Sequence, residues 1–243
     1  MVINGQNGLS EVQQDEYFQV NALQLVETAD GSTTIFNTII GEHYHSRHGA
    51  LQESRHVFLN EGLLHFLNDQ DKSDLAILEV GLGAGLNFLL SADFCLTHGI
   101  NLNYVGIEPF PLPSSFVCQT GYVHYISDEL WYSFIEKYEL SVNNVMSINK
   151  FCQLQIAHCY LLAFQSEQRF DIIYFDAFSA IHQPDMWSFE SIEHACRFLK
   201  PGGLFVTYAI TGHLKRSLKK MGFSIEKVPG PPGKREMLRA TKN

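Results

Sequence analysis

Residues 78–87 read LEVGLGAGLN, an apolar strand that carries Glu79 and Val80 at its end and runs directly into Gly81, Gly83 and Gly85. In an open α/β sheet, ligands bind outside the carboxyl ends of the strands. There glycines allow close backbone approach and the following helix presents free N–H groups. A dinucleotide fingerprint needs the spacing G-x-G-x-x-G, with its third glycine beside a pyrophosphate. Here the pattern is E-x-G-x-G-x-G, and Leu86 stands where that third glycine would be. The spacing therefore points to S-adenosylmethionine, which has no phosphate to cradle. Glu79 is expected to face the ammonium side of such a ligand, directly or through water.

Two further strand ends join this one. NLNYVGIE (101–108) closes on Glu108, a carboxylate placed to accept hydrogen bonds from both ribose hydroxyls, and FDIIYFDAF (170–178) reaches Asp176. Three apolar runs that end in acids beside a glycine-rich turn describe one site at one sheet edge.

The rest of the chain fits around that edge. Apolar strands near 75–80, 103–108, 153–158, 171–176 and 203–209 alternate with helical patterns near 86–97, 128–139, 188–199 and 212–221, the signature of a doubly wound sheet. The final pair FSIEKV and KREMLRA flanks GPPG with no helix between, which predicts an antiparallel hairpin at the sheet edge. Ahead of the core, FQVNALQLVETADGSTTIFNTII holds two β-rich runs around Asp30-Gly31, a strong hairpin turn. After it, Val57, Phe58, Leu63, Phe66 and Leu67 recur at helical spacing. The expected organisation is an N-terminal β-hairpin extension over 1–60 and a Rossmann-like α/β domain over 61–243, with a mixed sheet.

At 243 residues and 45% apolar, the chain can bury a sizeable core. The opening MVINGQNGLSEVQQ lacks the basic and apolar regions of a leader, and no apolar run reaches the roughly 18 residues of a membrane span. A cytoplasmic protein with no membrane association is expected. Five cysteines (Cys95, Cys118, Cys152, Cys159, Cys196) without a C-x-x-C pair suit a reducing compartment.

The net charge of −9 conceals an asymmetry. Residues 1–196 hold 6 Lys and Arg against 24 Asp and Glu, a net −18, whereas residues 197–243 hold 11 against 2, a net +9. Lys215, Arg216, Lys219 and Lys220 share a helical segment, and Lys234, Arg235 and Arg239 lie on the last strand-like one. A patch of this kind neutralises phosphates, which is how most sequence-independent affinity for nucleic acid arises. On charge alone, a solvated face that balances the acidic part of the fold explains it equally.

The histidines of HYHSRH (His43, His45, His48) have no cysteine or acid at a ligand-like spacing, so no metal site is expected and a polar or stacking role near a base fits them better. After the third strand end comes DAFSAIHQPDMWSFE, a segment that in this architecture overhangs the methyl group of the donor. If the acceptor is an amine, its ammonium form has a pKa of about 10.4 and needs to lose a proton before it can attack. A carboxylate can bind the ammonium, orient it and take its proton or pass it to water, which makes Asp176 the expected catalytic residue. His182 and Asp185 lie close by. Phe178 and Trp187 suit stacking on an extruded base, and Trp187 suits the core equally well.

HYHSRHGALQESRHVFL, LEVGLGAGLNFL, YVGIEPFPL, FDIIYFDAFSAIHQPDMW, GGLFVTYAITGHLKRSLKKMGF and GPPGKREML together resemble the successive motifs of the tRNA 5-aminomethyl-2-thiouridine methyltransferases, from about residue 30 to the C-terminus. That family is known alone and as the methyltransferase half of a bifunctional wobble-uridine enzyme. The resemblance implies methylation of the exocyclic amine of 5-aminomethyl(-2-thio)uridine in the tRNA anticodon loop, with S-adenosyl-L-methionine as donor. It also implies a stand-alone type with no FAD oxidase domain in this chain. Carried over, Glu79, Gly81, Gly83, Gly85, Asn87 and Glu108 are cofactor contacts and Asp176 faces the acceptor amine. The QES stretch (Gln52, Glu53, Ser54) and the GKRE stretch, with Lys234 and Arg235, border the active site. LQIAHCYLLAF departs from the pattern by lacking an acid for the adenine amino group, which leaves backbone groups, His158 or Cys159, and Ala177 stands where many relatives have glycine. Three other readings stand beside it: a class I methyltransferase acting on a small-molecule or protein amine, an aminopropyl-transferring enzyme of related fold, and a non-catalytic RNA-binding module, against which Glu79, Glu108 and Asp176 count.

Overall fold

A computed structural model describes residues 20–68, 70 and 72–243. Residues 1–17 and the first two residues of the expected hairpin stretch lie outside them. Strands β1 (Leu23–Glu27) and β2 (Thr33–Asn37) pair antiparallel around the Asp30-Gly31 turn, and a short β3 (Glu42–His43) adds a third strand the sequence did not announce. The turn holds itself together: Asp30 Oδ1 accepts from Thr28 Oγ1 at 2.8 Å and from Ser32 N at 3.0 Å. Its other oxygen accepts from Gln52 N at 2.9 Å and so satisfies a donor in the first turn of the next helix.

That helix, α1, runs from Ala50–Ser54 through a π-helical stretch, Arg55–Leu64, to His65–Leu67. It buries Val57, Phe58, Leu63 and Phe66. Next come β4 (Asp74–Val80), α2 (Leu86–His98), β5 (Asn101–Ile107), the short α3 (Ser114–Val117), α4 (Asp128–Lys137), β6 (Met146–Ser147) and β7 (Cys152–Ala157). The chain closes with β8 (Phe170–Phe175), α5 (Phe189–Arg197), β9 (Leu199–Thr207), α6 (Gly212–Lys220), β10 (Phe223–Pro229) and β11 (Glu236–Lys242). Ser188 and Thr211 cap α5 and α6 by accepting from the backbone N–H three residues on.

The main sheet has eight strands in the order β10-β11-β9-β8-β4-β5-β7-β6. β9, β8, β4, β5 and β7 are parallel, while β11 runs antiparallel beside β9 with β10 outside it, as the helix-free end of the sequence led one to expect. β9 begins about four residues earlier than the apolar run alone suggests, because Leu199 pairs with Phe170 before a register shift. The central strands are buried on both faces and therefore read as continuous apolar runs. Along β8, Ile172 and Tyr174 enter the layer with Phe58, Phe88 and Phe134, and Ile173 and Phe175 enter the opposite layer with Trp187, Ile192 and Leu218. At the amino end of β8, Asp171 accepts from Lys72 Nζ at 2.6 Å, Lys200 Nζ at 2.9 Å and Ala76 N at 2.9 Å. Among the described residues, no helix is long and apolar enough to cross a membrane.

Candidate active site

The chain leaves β4 toward β5 on one side and reaches β8 on the other, so a crevice opens at the carboxyl ends of these three strands. Gly81 makes the closest approach there. Its φ is +88°, and a Cβ at this position would lie 2.6 Å from the carbonyl oxygen of Asp176, so only glycine fits between the two strand ends. Gly83 N donates to Glu108 Oε2 at 2.9 Å and Phe110 N donates to Glu108 Oε1 at 3.0 Å. The Glu108 carboxylate thus fixes both loops and keeps a second lone pair on each oxygen. Burial raises its pKa against the opposing pull of these backbone donors.

Asp176 lies on the floor of the crevice with its side chain 6% exposed. Asn87 Nδ2 donates to Asp176 Oδ2 and to Glu79 Oε1, each at 2.8 Å, and Tyr104 OH donates to Glu79 Oε2 at 2.7 Å. One amide nitrogen therefore spends both hydrogens on two acids. Burial first, then the charge of Asp176, pushes Glu79 well above the carboxylate range. Asp176 itself is pushed up to about 8, by burial and then by the charge of Glu53, with Asn87 and Lys234 opposing.

The wall facing Asp176 comes from the N-terminal segment. His45 Nδ1 stands 3.9 Å from Asp176 Oδ2, buried and without a hydrogen-bond partner among the described residues. Glu53, buried in α1, accepts from Ser46 N at 2.7 Å and from Lys234 Nζ at 2.8 Å, so the QES and GKRE stretches meet. Lys234 Nζ also sits 3.6 Å from the centroid of the Tyr208 ring. Tyr44 covers the glycine loop: a Cβ on Gly83 would lie 3.0 Å from its ring, and Phe178 packs edge-on against it at 5.1 Å.

The expected site residues take different places around the crevice. Gly81, Gly83, Glu108, Asp176 and Phe178 line the crevice. Glu79 and Asn87 lie behind it, fully or nearly fully buried, because an acid with no access to water needs partners and takes them from Asn87 and Tyr104. Gly85 also faces away, its missing Cβ 3.0 Å from Phe134. Trp187 is in the core, where its indole N–H donates to Phe178 O at 2.7 Å and its ring meets Phe175. His182 and Asp185 are exposed, and Gln183 and Met186 from the same segment reach the crevice instead. Lys234 turns in toward Glu53, while Arg235 is exposed.

Tyr44, Phe110 and Tyr160 line the crevice without having been singled out in the sequence. Phe110 and Tyr160 form an edge-on pair 5.9 Å apart at the rim. Their signal was an aromatic two residues after a strand-end acid and another in the acid-free stretch after β7. On α6, Lys215, Arg216, Lys219 and Lys220 occupy the face opposite the buried Leu214 and Leu218.

A family profile described as an S-adenosyl-L-methionine-dependent methyltransferase matches residues 126–243. The tRNA 5-methylaminomethyl-2-thiouridine biosynthesis bifunctional protein MnmC of Chromobacterium violaceum is 30% identical over 212 residues, which cover 83% of this chain and 32% of that protein. The protein of the same name from Pseudomonas aeruginosa is 31% identical over 212 residues, with the same coverage of 83% and 32%. The chain thus spans about a third of the length of these curated relatives. The crystal structure of MNMC2 from Aquifex aeolicus superposes with a TM-score of 0.70 at 19% identity, covering 97% of this chain and 78% of that one. That likeness establishes the fold, an eight-stranded mixed α/β sheet with a small N-terminal antiparallel sheet added. Over most of its length the chain is thus similar to the matching third of the MnmC proteins, and over residues 126–243 to a family of S-adenosyl-L-methionine-dependent methyltransferases.

Proposed function

We propose that this chain is a cytoplasmic tRNA methyltransferase. It converts 5-aminomethyl(-2-thio)uridine at the wobble position into 5-methylaminomethyl(-2-thio)uridine, with S-adenosyl-L-methionine as donor. The observation that carries the reading is Asp176: a buried carboxyl at the floor of the crevice, with one oxygen fixed by Asn87 and a pKa near 8. The names of the relatives supply the substrate.

The crevice fits the donor. The Gly81–Gly83 backbone leaves room at the sheet edge, Glu108 retains acceptor capacity for a ribose diol, and the rim pair Phe110 and Tyr160 offers flat apolar surface for a base. Gly81, Gly83 and Glu108 are assigned to direct contact. Glu79, Asn87 and Gly85 are assigned to holding that wall and Asp176 in place. When bound, the donor supplies an electrophilic methyl group on a sulfonium sulfur.

The residues of this chain prepare the nucleophile. Moving a proton from an ammonium of pKa about 10.4 to an ordinary carboxylate costs roughly 9 kcal/mol, and to an acid of pKa about 8 roughly 3 kcal/mol. The buried Asp176 is thus the better base, and its charge when ionised attracts the cationic substrate. Phe178, with His182 and Asp185 on the loop behind it, is assigned to the approaching nucleotide, and Trp187 to supporting that loop through Phe178 O. Lys234 tunes the pocket, and Arg235 with the α6 lysines meets the phosphates of the tRNA.

The test uses purified protein, radiolabelled S-adenosylmethionine and tRNA from cells blocked in this methylation, followed by digestion to nucleosides. Label in 5-methylaminomethyl-2-thiouridine is expected. Absence of label, with donor binding measured separately, moves the substrate to a small-molecule or protein amine.

A further inference from the structure

The environment of His45 is unexplained by the assignments above. Its ring lines the crevice, and Nδ1 is buried, unpartnered and turned toward Asp176 Oδ2, 3.9 Å away. A buried nitrogen without a partner is costly unless a ligand supplies one. The separation is too long for a hydrogen bond between the two atoms themselves. It suits one atom that bonds to both: a nitrogen about 2.9 Å from each subtends an angle of roughly 85°.

The charges around the pair select what that atom belongs to. Asp176 is the acid, and Lys234 is neutralised by its 2.8 Å contact with Glu53, so no uncompensated cation faces the gap. Burial holds the His45 imidazole below its ordinary pKa, with Glu53 pulling the other way, so the ring is neutral. A neutral ring with its proton on Nε2 presents Nδ1 as an acceptor. Asp176 Oδ2 already accepts from Asn87 and has one lone pair left, and Oδ1 accepts no hydrogen bond among the described residues. The gap therefore offers two acceptors side by side, and it calls for a group with at least two N–H bonds on one nitrogen.

We infer that His45 Nδ1 and Asp176 Oδ2 form a two-acceptor seat for the primary amine of the substrate, which makes His45 a specificity-determining residue. The inference rests on the reading that the acceptor is an aminomethyl group. A primary amine donates one N–H to each acceptor and keeps its lone pair for the new N–C bond. As that bond forms, the C–S bond of the donor breaks and its electron pair stays with sulfur. The ammonium form gives up one proton to Asp176 Oδ1 or to water before attack, and the methylated nitrogen, with two hydrogens left, departs as a secondary ammonium.

The seat is tested without donor or turnover. Binding to the donor-free protein is compared for tRNA carrying 5-aminomethyl-2-thiouridine and for the same tRNA lacking the aminomethyl group. Wild-type protein is expected to prefer the aminomethyl form. His45→Phe, which fills the space but accepts no hydrogen bond, is expected to lose that preference at least tenfold with binding of the control tRNA unchanged. His45→Asn, whose Oδ1 takes the place of Nδ1, is expected to restore most of it. Circular dichroism and thermal melting verify that both variants fold. A preference retained in His45→Phe, or left unrestored in a folded His45→Asn, overturns the seat alone. A wild-type protein with no preference overturns the substrate reading and the seat together.

Discussion

Glu53 and Lys234 are 181 positions apart in the chain and 2.8 Å apart in space. The pair links helix α1 to the turn before β11, and through their charges the two residues set the acidity of Asp176 in opposite directions. Lys234→Met leaves the buried Glu53 without its cation, and a loss of about 1–3 kcal/mol is expected because Lys234 itself is partly exposed. Adding Glu53→Gln should recover part of that loss. A double-mutant cycle by denaturant unfolding measures the coupling, and strict additivity would show the pair to be inert.

Asp176→Asn separates catalysis from donor binding. Asparagine keeps the shape and can bond with Asn87, but it neither attracts an ammonium nor takes its proton. Methyl transfer should fall by at least a hundredfold while donor affinity, measured by calorimetry, stays within a few-fold. Unchanged turnover would remove Asp176 from the chemistry.

The same substitution has a signature in stability. The pKa of Asp176 rises from 3.8 when unfolded to about 8 when folded, so between these values the folded state holds more protons. Its contribution is therefore fully present below about pH 4 and is lost as pH rises through about 8. Relative to Asp176→Asn, the wild type should lose up to about 1.4 kcal/mol per pH unit across that window. Melting temperatures at pH 5 and pH 8 test this, with the variant gaining more at pH 8.

Gly81→Ala places a methyl group against the Asp176 carbonyl at a φ of +88°. The strand ends would have to separate, which should cost at least about 1–2 kcal/mol and weaken donor binding more than tRNA binding. Equal losses in both would place the strain elsewhere.

Neutralising Lys215, Arg216, Lys219 and Lys220 together should weaken tRNA binding and lower the slope of log affinity against log salt by up to about 3. Lys215 is half-buried and Lys220 Nζ lies 4.3 Å from the centroid of the Phe189 ring, so a small loss of stability, about 1 kcal/mol, is expected alongside. An unaltered slope would send the search to another surface.

What the sequence disclosed and what it withheld follow from how each signal is encoded. β4, β5 and β8 were legible because buried parallel strands read as apolar runs, and their terminal acids mark the sheet edge directly. Asn87 and Glu79 were legible as members of the site, but not as its back wall, since burial depends on neighbours such as Tyr104 that arrive from another strand. Tyr44 was not legible, and the family resemblance brought Glu53 and Lys234 to the border of the site without disclosing their ion pair, because segments so far apart share no periodicity. Trp187 reads alike as a stacking platform or as core until Phe178 O claims its N–H.

The contact of Tyr44 with the glycine loop also bears on inheritance. A ring 3.0 Å from where a Cβ on Gly83 would stand makes residues 44 and 83 a volume-matched pair drawn from two different parts of the chain. Among descendants of a common ancestor, a larger residue at position 83 should appear only with a smaller one at position 44. The small N-terminal sheet and the glycine loop would then diverge in step, and a chimera joining them from distant relatives should bind donor poorly even when each half folds.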